Sequence, residues 1–168
     1  GVATALGGGT IRDLLLDRNV FWVVDHTYLI VALGAGLLTF FAVRNRPLPP
    51  RLFLIPDAIG LALFTIVGTQ IALQWHAPWL VASLMGVITG VVGGVLRDIL
   101  CNDVPLVFLK GELYATAAWL GALSLIFLQE IGLSAVASAW VGMAVVLLLR
   151  LLAMRYHLTL PALNSPKS

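Results

Sequence analysis

"GVITGVVGGVLRD" (residues 86–98) repeats "GVATALGGGTIRD" (residues 1–13) without a gap, 85 residues further along the chain. The identical positions are Gly1/Gly86, Val2/Val87, Thr4/Thr89, Gly8/Gly93, Gly9/Gly94, Arg12/Arg97 and Asp13/Asp98. What lies between the copies decides how they are related. Of the 168 residues, 60% are hydrophobic and only 11% charged, against about 25% charged in soluble domains, and the mean hydropathy is +1.01. The apolar residues fall into six segments, about 1–16, 27–43, 53–74, 80–100, 113–128 and 135–154. A helix of about 20 such residues crosses a bilayer core. The chain therefore reads as an all-α integral membrane protein. The 85-residue offset contains three crossings, an odd number, so the second copy is upside down relative to the first. Inverted repeats of this kind characterise transport folds.

The repeat predicts more than the chain contains. A whole span (53–74) precedes the second motif, whereas nothing precedes the first. Symmetry then predicts two inverted three-helix repeats plus a seventh helix, with the first helix missing from this chain and restoration of that span needed for full function. The expected organisation is an incomplete first repeat at 1–43, a basic proline-rich connection at 44–52, a second inverted repeat at 53–128, a final helix at 135–154 and a tail at 155–168. Lysine and arginine accumulate on the cytoplasmic side of membrane proteins. Connections on one side and the tail hold Arg44, Arg46, Arg51, Lys110, Arg155 and Lys167; the other side holds Arg18 with Asp17, Asp25 and Glu130. The C-terminus is thus expected in the cytoplasm.

The net charge of +2 is spread over the ends of apolar runs, which points to lipid contact and not to nucleic acid. His26, His76 and His157 are far apart, so no metal site is expected, and Cys101 is the single cysteine. No phosphate-binding GxxxxGK[ST] motif occurs. Neither an enzymatic activity nor a cofactor is expected; a permeant ion and bound lipid are the candidate ligands.

Within each motif the small residues share a face: Gly86, Gly90, Gly93, Gly94 and Arg97 in one copy, Gly1, Ala5, Gly8, Gly9 and Arg12 in the other. Close helix packing is one reading. The other is a kink. Gly7, Gly8 and Gly9 are consecutive and circle the helix, and each glycine costs about 1 kcal/mol of helix stability relative to alanine. Broken helix in a bilayer is tolerated where it lines a wet cavity. The expectation is that Gly7, Gly8, Gly9, Gly93 and Gly94 kink their helices and that Thr4 and Thr89 line a pathway beside them, unless those hydroxyls simply bond back to their own helix. Replacing Gly93 and Gly94 together by alanine would then straighten the helix and remove most of the flux while leaving assembly intact. Arg12, Asp13, Arg97 and Asp98 either snorkel to water or set fixed charges at the two mouths. Asp57 opens the third segment, on the same side as Arg97, and an ion pair between them is expected. Trp75, Trp79 and Tyr28 suit an interfacial aromatic belt.

Paired GG-x-x-RD motifs on inverted three-helix repeats resemble the trimeric intracellular cation (TRIC) channel family, in particular its bacterial branch, which carries a glycine-transporter domain label. "GGGTIRDLLLDRNVFWV", "DAIGLALFTIVGTQIAL", "GGVLRDILCNDVPLVF" and "ELYATAAWLGA" carry the likeness over nearly the whole chain. The resemblance implies a seven-helix protomer, a homotrimer, and one pathway in each protomer between helices kinked at the glycines. It implies passive flux of monovalent cations, chiefly potassium; the domain label implies glycine uptake instead. Val92 stands where the first copy has Gly7, so the two halves are unequal. Three functions compete: a potassium channel, a secondary transporter for glycine or another small amino acid, and a non-transporting membrane scaffold.

Overall fold

The computed structural model describes residues 1–44, 54–109 and 113–156. Most of the 44–52 connection and the tail from residue 157, with Arg46, Arg51, Lys110 and Lys167, lie outside them. Among the described residues the chain forms α1 (Val2–Leu15), α2 (Phe21–Val24), α3 (Thr27–Val43), α4 (Leu54–Gln74), α5 (Trp79–Leu100), a 3-10 turn (Leu106–Phe108), α6 (Ala115–Glu130) and α7 (Ala135–Tyr156). Helices α4, α5 and α7, of 21, 22 and 22 residues, are long and apolar enough to cross a membrane; α3 and α6 are apolar but shorter.

The distribution of side chains is that of a protein dissolved in lipid. Large apolar groups point outward, among them Leu38, Phe40 and Phe41 on α3 and Val136 and Trp140 on α7. The interior is built from small and hydroxylated residues: Ala58, Ala82, Thr65, Thr69, Ser83 and Ser138 are all at 0% exposure. Lipid tails are as apolar as leucine, so burying leucine drives nothing there; close approach of small residues does.

That approach defines the packing. Helices α4 and α5 form an antiparallel hairpin in which Gly68 and Gly86 meet: a Cβ at Gly86 would lie 2.7 Å from the Thr65 carbonyl oxygen, and one at Gly68 would lie 3.1 Å from the Gly86 Cα. Helices α6 and α7 are joined by a turn at Gly132, whose φ of +90° suits glycine. They close at Gly121 and Gly142, where a Cβ at Gly121 would come within 2.9 Å of the Gly142 carbonyl oxygen. Ile66, Leu125 and Ile126 fill the space between α4 and this second hairpin.

Helix α1 packs antiparallel on α5. A Cβ at Gly8 would strike the Thr89 carbonyl, and one at Gly93 would strike the Thr4 carbonyl. Adding 85 to Gly8 gives Gly93, and subtracting 85 from Thr89 gives Thr4. The two contacts are therefore exchanged by the repeat offset, as a pair of helices crossing on a two-fold axis requires.

The glycines do not interrupt their helices. Helix α1 runs unbroken through Gly7, Gly8 and Gly9, and α5 runs unbroken through Gly93 and Gly94. In an apolar surrounding each unpaired backbone N–H or C=O costs several kcal/mol, more than the glycines lose by staying helical. Their missing side chains instead admit a neighbouring backbone.

Candidate functional site

Each repeat ends its glycine helix in the same polar turn. At one end, Arg12 Nε donates to Asp13 Oδ1 (2.9 Å), and the Phe21 N–H donates to Asp13 Oδ2 (2.9 Å). At the other, Arg97 Nε donates to Asp98 Oδ1 (2.8 Å), and the Leu106 N–H donates to Asp98 Oδ2 (3.1 Å). Phe21 and Leu106 are again 85 residues apart. So are Asp17 (φ 50°) and Asn102 (φ 58°), the left-handed residues that reverse the chain; Asp and Asn are among the few non-glycine residues that tolerate this conformation. The repeat thus extends well past the sequence motif. Each aspartate ties the following segment to its helix and orients its arginine. Asp13 is fully buried and Asp98 nearly so, and each is paired with its neighbouring arginine.

Because α1 and α5 are antiparallel with Gly8 opposite Thr89, Arg12 is level with about residue 85 of α5. Arg97 is a further twelve or so residues along, about 18 Å at 1.5 Å per residue. The two arginines mark opposite ends of the helix pair.

The ends differ in their partners. Asp57, in the first turn of α4, accepts from Arg97 Nη1 at 2.7 Å and from the Tyr114 hydroxyl at 3.3 Å, both on Oδ1. The expected Asp57–Arg97 pair is thus in place, and both residues also sit favourably in their helix dipoles. Asp57 Oδ2 is buried with no hydrogen-bond partner among the described residues. At the Arg12 end the additional group is a cation: Arg18 Nε lies 3.5 Å from Asp13 Oδ1.

A cavity lies at each of these ends. One, of about 290 Å³, is lined by Thr4, Asp57, Gly93, Gly94, Arg97 and Tyr114 among others. The second, of about 700 Å³, reaches Gly9, Arg12, Arg18, Asp25 and Thr89. Ala5 and Phe64 line both, so the two cavities are neighbours. Thr4 Oγ1 is buried without a hydrogen-bond partner among the described residues, whereas the Thr89 hydroxyl donates back to the Met85 carbonyl at 2.6 Å. The two threonines, equivalent in sequence, are thus bonded differently. Gly7 contacts the Leu96 side chain and lines neither cavity. Asp25 is held below the usual carboxylate range, first by the Thr27 hydroxyl and then by the Thr27 N–H, so the wider cavity keeps a negative charge at its outer end.

Two further residues belong to the site that motif spacing did not identify. Tyr114 is buried against Asp57, and the fully buried Arg150 of α7 lies 4.7 Å over its ring, with a long bond from Nη1 to the Leu113 carbonyl (3.4 Å). Arg150 was detectable: it is an ionisable residue inside the apolar run "VVLLLRLLAM" (145–154), which by itself marks a functional candidate. Tyr114 gave no such signal.

Known proteins share this arrangement. The family described as "Glycine transporter" matches residues 1–44 and 54–130. The UPF0126 inner membrane protein YadS of Escherichia coli (strain K12) is 44% identical over 166 residues, covering 96% of this chain and 79% of that one. A UPF0126 membrane protein of Vibrio cholerae is 43% identical, covering 94% and 66%. The TRIC trimeric intracellular cation channel orthologue from Rhodobacter sphaeroides superposes with a TM-score of 0.87 at 40% identity, covering 93% of this chain and 80% of that one. A structure solved to explain conductance through TRIC cation channels superposes at 0.86 with 33% identity, covering 99% and 82%. With the family match spanning most of the chain and the helices superposing on these channels throughout, the protein is a membrane protein of the glycine-transporter family with the TRIC fold.

Proposed function

We propose that the protein is a passive channel for monovalent cations, chiefly potassium, with one pathway inside each protomer of a homotrimer in the bacterial inner membrane. One observation carries the reading. The two cavities share Ala5 and Phe64 within a single chain, which supports a route between the charged ends that passes the Phe64 side chain. The route starts beside the unpartnered Asp57 Oδ2 and ends beside Asp25, a carboxylate at each end. The titles of the superposing structures, which speak of trimeric cation channels, support the same conclusion. The excess of positive residues on one side supports a cytoplasmic C-terminus.

A second reading, passage of glycine, is favoured by the family description and by one feature of the site. Arg97 and the free Oδ2 of Asp57 stand side by side, a cation and a carboxylate able to hold the two charges of a zwitterion.

Full-length protein in liposomes separates the readings. Potassium conductance that rises with concentration without saturating is expected, and saturable glycine uptake without potassium conductance would replace the channel by a carrier. Absence of both would leave a scaffold. Phe64→Ala is expected to raise the flux and Phe64→Trp to lower it, with assembly unchanged. For orientation, a cysteine-free background (Cys101→Ser) carrying His76→Cys should be labelled from outside only, and one carrying Ser168→Cys from the cytoplasm only. The reverse pattern would invert the topology.

A further inference from the structure

Arg18 belongs to the repeated turn through its backbone, its N–H donating to the Asp13 carbonyl as that of Asp103 donates to the Asp98 carbonyl (both 2.9 Å), but its side chain is not repeated. Its equivalent by the 85-residue offset is Asp103, of opposite charge, so this cation serves one end of the protein alone. It lines the wide inner cavity and also an outer recess of about 540 Å³; Phe21, Asp25 and Tyr28 are shared between the two in the same way. Arg18 is thus one of four residues common to the recess and the cavity.

Its tethers are light. Asp13 Oδ1 lies 3.5 Å away but already receives Arg12 at 2.8 Å, and Asp13 Oδ2 is occupied by the Phe21 N–H. The other face of Arg18 rests on Trp75, 5.1 Å from the ring centroid, in the turn after α4. Trp75 is itself more than half exposed, and the Arg18 side chain is 24% exposed. A long arginine stem with one shared carboxylate and one stacking partner is free to swing into the recess. In place, it sets a positive charge across the route in a region walled by apolar groups, where repulsion between like charges is far stronger than in bulk water.

We propose that Arg18 is a gate for cations at this end: tethered to Asp13 and Trp75 it obstructs and repels them, and swung aside it lets them through. The inference rests on the channel reading and adds to it the residue that limits the rate.

The test is a potassium flux measurement on full-length protein carrying Cys101→Ser and Arg18→Cys in liposomes. Methanethiosulfonate reagents of positive or negative charge are applied after assembly, so one folded preparation is compared with itself. Arg18→Cys is expected to conduct at least about tenfold faster than its parent, a barrier lower by about 1.4 kcal/mol. The positive adduct should return the flux toward the parent value, and the negative adduct should not. Arg18→Lys should stay slow. Trp75→Ala, which leaves Arg18 in place but removes its stacking partner, should raise the flux in the same direction. Equal flux with both adducts, or no rise in Arg18→Cys, overturns the gate while leaving the channel standing. No potassium flux in parent and variant alike overturns the channel reading and the gate with it.

Discussion

Gly8→Ala and Gly93→Ala are each expected to destabilise the protein by about 1–3 kcal/mol, the usual range for overpacking, and to loosen α1 from α5. The added methyl at Gly8 would lie 3.0 Å from the Thr89 carbonyl carbon and closer still to its oxygen; at Gly93 it would strike the Thr4 carbonyl. Both obstacles are backbone, so no rotamer change relieves them, and the two helices have to separate. Gly34→Ala is the control. Nothing lies within 4 Å of its Cβ position, and alanine there is expected to be neutral or to stabilise by up to about 1 kcal/mol. Thermal unfolding in detergent measures all three. The result also discriminates between the two uses of glycine weighed from the motif. A hinge predicts that alanine preserves stability and removes flux; the observed contacts predict that stability falls first. A Gly93→Ala protein as stable as its parent would revive the hinge.

Removal of the Asp57 carboxylate carries the second large effect. Asp57→Ala leaves the Arg97 guanidinium with Asp98 alone and strips the buried Tyr114 hydroxyl of its acceptor. Breaking a buried pair from one side costs about 3–5 kcal/mol. Here the lower end, about 3 kcal/mol, is expected, because the Arg97 side chain keeps 27% of its exposure and water takes up part of its charge. Asp57→Asn should cost less, since its amide oxygen still accepts from both donors. The Asp57→Arg, Arg97→Asp exchange should recover only part of the loss, because it sets a new carboxylate beside Asp98 and a cation in the first turn of α4, against the helix dipole. A double-mutant cycle is expected to return a coupling of about 1–3 kcal/mol. Additive losses would show that the 2.7 Å contact contributes nothing of its own.

Much of this was legible from residues alone, for physical reasons that are local. Long apolar runs have no way to satisfy their backbone in lipid except as helices, so α4, α5 and α7 follow from composition and length. The match of residues 1–13 to 86–98 was visible because the same turn has to be built twice, with an arginine, an aspartate and a left-handed residue at fixed distances; the structure extends it to the Phe21 and Leu106 amides, where the side chains differ and only the backbone repeats. The Asp57–Arg97 pair could be anticipated because a hairpin brings the start of α4 to the end of α5. The role of the glycines could not. A missing side chain opens space equally for water or for another helix, and which of them fills it depends on what stands opposite: the Thr89 and Thr4 carbonyls, each some 80 or more residues away in sequence. The same holds for Tyr114 beneath Arg150, and for Arg18 between two cavities. A phenol, a buried cation and a surface arginine acquire their functions from neighbours on other helices, and antiparallel packing at a particular register, not any local preference of the chain, selects those neighbours.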